Sequence, residues 1–226
     1  MHAPPQPQSA PADAIPELGF SVEDVRPLEH VAVPTLCFEL AVESLRGHSI
    51  RSVLLDVQLQ IAAHRRGRYD EGEQQGLTEL FGMPDGWGTT LGTVPWMRVT
   101  ALVPPFERRT LAQLPVVCTY DLEVKASRYL NALRDGVVPV ELLFSGTVFF
   151  ARADGALQAA MIGWDKEAEY ELPVAAWKQA IDQHFPGSAW LRLGRDSFDR
   201  LSAYRSRRQL TGWDETIESL LRAAED

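Results

Sequence analysis

The sequence contains few of the residues and patterns that metal binding, disulfide formation or covalent catalysis require. Its two cysteines, Cys37 and Cys118, lie far apart and each sits in a strand-like pattern. They predict buried, reduced thiols and neither a disulfide framework nor a zinc site. The five histidines never recur at the spacing of a helical turn, and none adjoins a cysteine, which also argues against zinc.

Several other motifs are missing. No run approaches the roughly 18 apolar residues of a membrane-spanning helix, and residues 1–14 lack the basic and apolar regions of a secretory signal. The sequence has no G-x-G-x-x-G motif and no phosphate-binding loop, and Ser145 is outside any G-x-S-x-G elbow. We therefore predict no catalytic residue, no metal site and no cofactor.

Acidic residues outnumber basic ones, and the 226-residue chain has a formal net charge of -9. A net anion is repelled by nucleic acids and by anionic membrane surfaces, so neither is expected as a partner. The composition, with 45% hydrophobic and 23% charged residues, is that of a globular protein. We expect a cytoplasmic location and no insertion into a membrane.

The longest strand patterns lie in the middle of the chain. Apolar and polar residues alternate with a period of two in residues 118–126 and in residues 138–150, which predicts two antiparallel strands. We expect them to form a wide hairpin, closed by a short helix that Ser127 caps and Gly136 stops. The Ser145-Gly146 pair predicts a bulge or a close backbone approach in the second strand.

This hairpin leads to a specific expectation about burial, because a shift of one residue would move every apolar side chain to the other face. We expect the other face of the hairpin to point to solvent or to a covering helix, with the side chains of Asp121, Glu123 and Glu141 on it. The side chains expected to be buried together are Tyr120, Leu122, Val124, Leu142 and Phe144.

Further strands are predicted before and after this region. Residues 36–42 and 53–61 alternate in the same way and predict a second antiparallel hairpin with one solvated face. Asp70 and Glu73 have the spacing of a capping box, which predicts a helix that ends before Gly82.

The last third of the chain has helical periodicity. Pro173 predicts the start of an amphipathic helix, and Asp196 and Thr211 are candidate caps of two more. Each helix has one apolar stripe that needs a partner, so we expect all three to pack on the strands.

These patterns predict an α+β fold, an antiparallel β-sandwich of seven or eight strands with a C-terminal three-helix segment packed on it. Residues 1–16, rich in proline and alanine, are expected to be a disordered tail. Residues 17–226 are expected to form a single domain, with the sandwich in residues 17–172 and the helices in residues 173–226.

A basic cluster near the C-terminus is the candidate partner-binding site. Tryptophan and arginine are enriched at the energetic centres of protein interfaces, and an arginine-rich face suits an acidic partner. Two alternatives remain open: the arginines form a solvated helix surface, and the tryptophan docks a linker onto the sandwich. The candidate residues are Trp190, Arg192, Arg195, Arg205 and Arg208.

Two other charged groups have simpler interpretations. Arg65, Arg66 and Arg68 lie next to acidic residues, and local pairing at a solvated turn is favoured over anion binding. Residues 164–169 contain several carboxylates beside Trp164, but their charges alternate in sign, which favours a charged strand edge over acid–base catalysis.

Several segments, taken in order, resemble a known family. It is an actinobacterial family of unknown function, often encoded beside nickel–iron uptake hydrogenase genes. The resemblance implies no catalytic residues and only a part in assembling, maturing or anchoring a hydrogenase. It covers the chain from about residue 18 onward and is carried by PTLCFEL (34–40), LFG (80–82), CTYDLEV (118–124), LLFSGTVF (142–149), WDKEAEYELP (164–173) and FPGSAWLRLGRD (185–196).

Three functions are compatible with these observations. The favoured one is a non-catalytic accessory protein that binds another protein, a hydrogenase subunit or maturation factor. A holdase-like chaperone would require a large exposed apolar patch. An enzyme with a site assembled from scattered residues would require a deep polar pocket.

Overall fold

The protein is represented here by a computed structural model with two compact units, residues 1–189 and 190–226. The prediction of one domain over residues 17–226 stays a prediction. The structure describes residues 15–119, 121, 124–152, 154–188 and 191–225.

The first unit is built on eight antiparallel strands in two sheets, as far as the chain is described. One sheet has the order β1-β2-β5, and the other has the order β4-β3-β6, with β7 and β8 each paired to β6. The strands are β1 (Leu18–Pro27), β2 (Thr35–Ser44), β3 (Ile50–Ala62), β4 (Thr93–Val103), β5 (Arg109–Val117), β6 (Val137–Ala151), β7 (Leu157–Met161) and β8 (Glu167–Pro173).

Six helices lie between or after the strands of the described residues. Four belong to the first unit: α1 (Glu71–Phe81), the single turn α2 (Trp87–Thr90), α3 (Lys125–Ala132) and α4 (Val174–Asp182). The second unit contains α5 (Arg195–Arg208) and α6 (Trp213–Glu225).

The two sheets pack face to face through large aromatic side chains. Phe38 of β2 is fully buried, and its ring meets the edges of Trp96 in β4 and Tyr170 in β8. Phe20 of β1 stacks on Phe144 of β6, with 4.2 Å between ring centroids. The alternating apolar residues of β2 and β3 fill the space between the sheets, which confirms the predicted α+β sandwich.

Gly146 lies where β6 changes its partner from β8 to β7. The amide of Phe144 donates to the Lys166 carbonyl at 2.9 Å, and the amide of Ile162 donates to the Gly146 carbonyl at 3.0 Å. Gly146 has φ +136°, and a Cβ atom there would collide with the Leu54 carbonyl oxygen of β3. The close backbone approach predicted at Ser145-Gly146 is therefore confirmed, and only glycine fits it.

The predicted strand over residues 118–126 is wrong for the residues of this range that the structure describes. Pairing of β5 with β2 ends near Cys118, whose amide donates to the Pro34 carbonyl at 2.7 Å. The Ser127 hydroxyl then donates to the Thr119 carbonyl at 2.6 Å, and the chain enters helix α3. The helix buries Ala126 and Tyr129, which follow a helical and not a two-residue period.

The burial expected for this region is confirmed only in part. Leu142 and Phe144 are buried, whereas Val124 lies at the start of α3 and is 38% exposed. Glu141 reaches the outer face, where it bonds Arg65. Tyr120, Leu122 and Glu123 lie outside the described residues.

The second predicted hairpin also needs correction. Residues 36–42 and 53–61 do form strands, but β2 pairs with β1 and β5, and β3 pairs with β4 and β6. The connection between β2 and β3 therefore passes from one sheet to the other. Two strands with apolar inner faces satisfy the same pattern in either arrangement, so periodicity did not distinguish them.

Helix α1 has the ends that its sequence predicts. The Asp70 carboxylate accepts from the Glu73 amide at 2.8 Å, and the Glu73 carboxylate accepts from the Asp70 amide at 3.1 Å. Gly82 ends the helix with φ +78°. Helix α4 follows Pro173 and buries Val174 and Trp177, as predicted.

Candidate functional site

The α5–α6 unit has a small set of internal contacts. The rings of Phe198 and Trp213 lie 5.4 Å apart, and the Arg205 guanidinium stacks on the Trp213 ring at 4.1 Å. The Tyr204 hydroxyl and the Ser219 hydroxyl are 2.8 Å apart. Among the described residues of this unit only one, Thr216, is buried.

Helix α6 has a strongly amphipathic sequence, but its apolar side is open. The sequence predicts an apolar stripe that needs a partner, and the structure leaves every large apolar residue of this stripe more than one third exposed. Exposure of this size on an aliphatic stripe is unusual in a short helix, because burial of that stripe is what normally stabilises it. The open side chains are Trp213 37%, Ile217 39%, Leu220 38% and Leu221 54%.

The two helices differ in charge. Helix α5 contains five arginines and two aspartates, and α6 contains four carboxylates and one arginine. Residues 190–226 together contain seven arginines and seven carboxylates, so the net charge of -9 belongs to residues 1–189. The arginine-rich helix is therefore a local exception in an acidic chain.

The described candidate residues lie at or before the start of α5 and in its last turn. Arg192 and Arg195 are exposed at the start of the unit, where Arg195 pairs with Asp199 at 3.5 Å. Arg205 is half-buried on Trp213, and Arg208 lies over Tyr204 at 5.7 Å. Trp190 lies outside the described residues. Arg205 and Arg208 thus contribute to packing within the unit.

A groove beside these residues was not predicted. It has a volume of about 420 Å³, and its apolar floor includes Leu201 and Leu220. Arg200 and Arg207 lie on its rim. They are seven positions apart, which places them on one helix face, and that spacing is the sequence signal that would have identified them.

A second exposed apolar area crosses the outer face of the larger sheet. Leu102 of β4 pairs with Leu54 of β3, Leu54 pairs with Thr147 of β6, and Thr147 pairs with Met161 of β7. Leu102 is 71% exposed and Met161 is 73% exposed. Trp164, in the loop after β7, is 95% exposed. This row is the outer sheet patch.

The most deeply buried charges belong to a structural network. The Arg66 side chain is only 7% exposed, and its Nη2 donates to Glu73 Oε1 at 3.0 Å and to the Asp135 carbonyl at 2.8 Å. Tyr69 stacks against Arg66 and shares a 2.8 Å hydrogen bond with Tyr129. Burial raises the pKa of both phenols, so they stay neutral hydroxyls that join α1 to α3.

The remaining sequence candidates have structural partners. The Ser145 hydroxyl is 3.4 Å from the Asp56 carbonyl, and Glu169 forms a bidentate pair with Arg65, which lowers the pKa of that carboxyl. Both cysteines are free and buried, as predicted, and burial raises the pKa of Cys118 to about 12.

Two absences apply to the described parts of the chain. No group of three or more histidine, cysteine, aspartate or glutamate side chains there is arranged to hold a metal ion. Among the helices of the described ranges, none is long and apolar enough to cross a membrane.

Solved structures give only distant similarity. The CARDB domain of a Pyrococcus furiosus protein, in complex with di-metal ions, matches with a TM-score of 0.27 and 11% identity over 70% of this chain and 92% of its own. A beta-glucosidase from Kluyveromyces marxianus has a TM-score of 0.27 and 9% identity, over 69% of this chain. Beta-glucosidase 3B from Thermotoga neapolitana has a TM-score of 0.23 and 13% identity, also over 69%. The similarity spans only 15% and 17% of these two enzymes.

Sequence comparison is more informative about family than about activity. None of the curated proteins matches this chain. A family profile, described as a family of unknown function (DUF6084), matches residues 15–226. Because that match covers nearly all of the sequence, the protein belongs to this family of unknown function.

Proposed function

We propose that this protein is a non-catalytic accessory protein of the cytoplasm and that its α5–α6 unit binds another protein. The proposed partner is a subunit or maturation factor of a nickel–iron hydrogenase. That identity rests on the resemblance of the sequence to an actinobacterial family encoded beside hydrogenase genes. The proposed part is in assembly, maturation or anchoring of the enzyme.

One observation carries the proposal: a helix with an apolar stripe leaves that stripe open. Ile217, Leu220 and Leu221 are partly exposed on α6, although amphipathic helices normally bury such residues. Exposed apolar area next to charged residues is typical of a protein interaction surface. The arginine-rich helix α5 lies beside it and gives that surface its charge preference.

The side chains that line the groove indicate which kind of partner would bind there. Leu201 and Leu220 offer an apolar floor, and Arg200 and Arg207 offer planar donors for carboxylates at the rim. An amphipathic helix with acidic residues beside its apolar stripe would satisfy both. Arginines at the rim of such an interface act mainly on selectivity and on the association rate.

Three of the edge strands favour a helical over a strand-mediated contact. An unpaired edge strand can recruit a peptide as an additional strand, and proline or a bulge prevents this. Edge strand β1 has a register shift at Glu23, and β5 and β4 contain Pro115 and Pro95. Strands β1, β4 and β5 are therefore poor templates for strand addition, whereas the short edge strand β7 has neither feature.

Co-purification from a host that expresses the neighbouring genes tests the proposal. Tagged wild-type protein should recover hydrogenase subunits or maturation factors at low salt. A double variant, Arg200→Glu with Arg207→Glu, should recover markedly less, because the groove would then repel an acidic partner. Its folding should be unchanged, since substitutions at exposed positions usually change stability by less than about 0.5 kcal/mol.

The matched control reverses the same number of charges elsewhere. Arg51 and Arg68 are exposed residues of the first unit. Arg51→Glu with Arg68→Glu produces the same change in net charge and should leave capture intact. Equal capture by wild type and the groove variant would contradict the proposed surface, and loss in both variants would indicate an effect of net charge alone.

A second candidate function is a holdase-like chaperone, and the outer sheet patch favours it. Leu102, Met161 and Trp164 are large apolar residues that are mostly exposed. A holdase requires such an area to bind unfolded chains without sequence selectivity.

Suppression of client aggregation distinguishes the two functions. A holdase would keep a denatured, unrelated client in solution, and Leu102→Asp with Met161→Asp would remove that effect. The proposed accessory protein should show no such suppression in either form.

A further inference from the structure

Strand β7 lacks the features that hinder pairing at strands β1, β4 and β5. Those three strands contain a register shift or a proline. Strand β7 has the sequence LQAAM, without proline or charge, and its described pairing with β6 has no register shift. Natural proteins protect edge strands with such features, because an open edge pairs readily with another chain. The edge of β7 is therefore open to a further strand.

The hydrogen bonds around β7 show which of its main-chain groups point away from β6. The Arg152 amide donates to the Ala156 carbonyl at 2.9 Å, and the Ile162 amide donates to the Gly146 carbonyl at 3.0 Å. Because hydrogen-bonded pairs alternate along antiparallel strands, the even-numbered residues from 156 to 162 face β6. The residues whose main-chain N–H and C=O groups point to the open side are Leu157, Ala159 and Met161.

The same strand of a second copy fits this open side. When two β7 strands run antiparallel with Ala159 opposite itself, Leu157 of each copy lies opposite Met161 of the other. These side chains share the outer face of the sheet, where Leu157 is 65% exposed and Met161 is 73% exposed. Apolar side chains then meet on both sides of the small central alanine, and each opposed pair exchanges its two main-chain hydrogen bonds.

The charge around β7 also suits a second copy. The whole chain has a net charge of -9, so two copies repel each other on average. Residues 142–166, which contain β7 and the segments on each side of it, have two basic and two acidic residues. This neutral stretch avoids the like-charge repulsion that the rest of the chain would impose.

We propose that β7 is a surface by which two copies of this chain associate, as antiparallel edge strands related by a two-fold axis at Ala159. The larger sheets of the two copies then form one continuous sheet. A two-fold contact requires a surface that is complementary to itself, and β7 meets this requirement in main-chain bonding, side chains and charge. Trp164, which is 95% exposed and follows β7, then lies near the turn before β7 of the second copy. The contact does not depend on the binding proposed for the α5–α6 unit.

Sedimentation velocity of the full chain tests the association. A strand of five residues buries little area, so a weak dimer is expected, with a dissociation constant of about 10 μM. The wild type should sediment as a 25.2 kDa monomer when dilute and as a dimer at concentrations of about 100 μM and above. A monomer at every concentration up to that value would overturn the proposal.

Met161→Lys and Leu102→Lys are a matched pair of variants. Each replaces an apolar residue of the outer sheet patch, and the exposed fractions are 73% for Met161 and 71% for Leu102. In Met161→Lys a charge would lie opposite Leu157 of the second copy, at two places in the dimer, which should weaken association at least about tenfold. Leu102→Lys, in β4, should associate as the wild type does. Equal association of the two variants would overturn the assignment to β7.

Cysteine substitution tests the register. In Ala159→Cys the two new thiols face each other across the axis, with Cα atoms about 5.5 Å apart, a distance that suits a disulfide. Mild oxidation should therefore produce a covalent dimer. In Leu157→Cys the equivalent Cα atoms lie about 14 Å apart, so no such dimer should form. The natural cysteines are buried and should not interfere.

The crosslinking result decides the proposal even if Met161→Lys fails to fold. A covalent dimer of Ala159→Cys alone is the expected result. No crosslink in Ala159→Cys, or an equal crosslink in Leu157→Cys, would overturn the proposed pairing.

Discussion

The two compact units differ in whether they bury a core of apolar residues. In the first unit, alternate residues of β2 and β3 are fully buried, and aromatic rings connect the two sheets. In the second unit, the apolar stripe of α6 is open, and Thr216 is the only buried residue among those described. The first unit thus has its own hydrophobic core. The second unit has an exposed apolar surface instead.

This difference indicates that the buried residues of the first unit stabilise the fold, whereas the exposed residues of α6 are available for binding. A core of interlocking strands supplies most of the free energy of folding, so substitutions there should be costly. Open side chains on α6 contribute little to folding, so their apolar character requires a different explanation. Binding another protein is the explanation that we propose, and substitutions in each unit test it.

The largest contrast in stability should be between two phenylalanines. Phe38→Ala removes a fully buried ring between the sheets and should lower the free energy of unfolding by about 3–5 kcal/mol. Phe198→Ala removes a 40% exposed ring in α5 and should lower it by less than about 1 kcal/mol. Denaturant unfolding measures both, and similar losses would show that the units do not differ in packing.

The buried ion pair of the first unit should give the next effect. Glu73→Gln removes the charge that faces the guanidinium of the buried Arg66 side chain. Removing one partner of a buried pair costs about 3–5 kcal/mol, because the remaining charge is left uncompensated.

An exposed pair provides the control for Glu73→Gln. Arg46→Gln breaks the surface pair with Glu17 and should cost at most about 1 kcal/mol in the same unfolding experiment. Comparable costs for the two substitutions would refute the structural role assigned to the Arg66 network.

Substitutions in the open stripe should barely affect folding. Ile217→Ser and Leu221→Ser replace partly exposed residues of α6, and each should change the free energy of unfolding by less than about 0.5 kcal/mol. Thermal unfolding of the two variants checks this. A loss of several kcal/mol would mean that the stripe belongs to a core.

The smallest effect concerns the beginning of α6. The Glu215 carboxylate accepts from the Thr211 amide at 2.9 Å and from its hydroxyl at 3.1 Å, and these bonds lower its pKa. A lowered folded-state pKa stabilises the helix start above the ordinary value of about 4.3 and loses that effect as pH falls through the folded-state value. Chemical shifts of residues 212–216 should change in that acidic range, and Glu215→Gln should remove the change.

Features determined by neighbouring residues could be predicted from sequence. The capping box of Asp70 and Glu73 is local, and the structure confirms it. A glycine within a strand pattern also indicated the close approach at Gly146, although the Leu54 carbonyl that it approaches belongs to another strand. The assignment of β2 and β3 to separate sheets is not local, since it depends on which strands occupy their edges. Residues 118–126 satisfied a strand pattern, but the hydrogen bond from Ser127 to the Thr119 carbonyl accompanies a helix instead.

The sequence predicts which segment carries the candidate site, but it does not predict the contacts of the individual side chains. The sequence shows that α5 is rich in arginine, but it does not show that Arg205 stacks on Trp213. It also does not show that Arg200 and Arg207 border a groove with Leu220 from the other helix. Contacts between two helices depend on how they cross, and periodicity within each helix does not fix that.

The most direct test compares two apolar surfaces in binding to the captured partner. Titration calorimetry with that purified partner would measure Kd for Ile217→Asp with Leu221→Asp on α6, and for Leu54→Asp with Leu102→Asp on the outer sheet patch. We predict that the α6 variant binds at least about tenfold more weakly, which corresponds to about 1.4 kcal/mol, and that the sheet variant binds as the wild type does. Unchanged affinity of the α6 variant, with loss in the sheet variant, would contradict it.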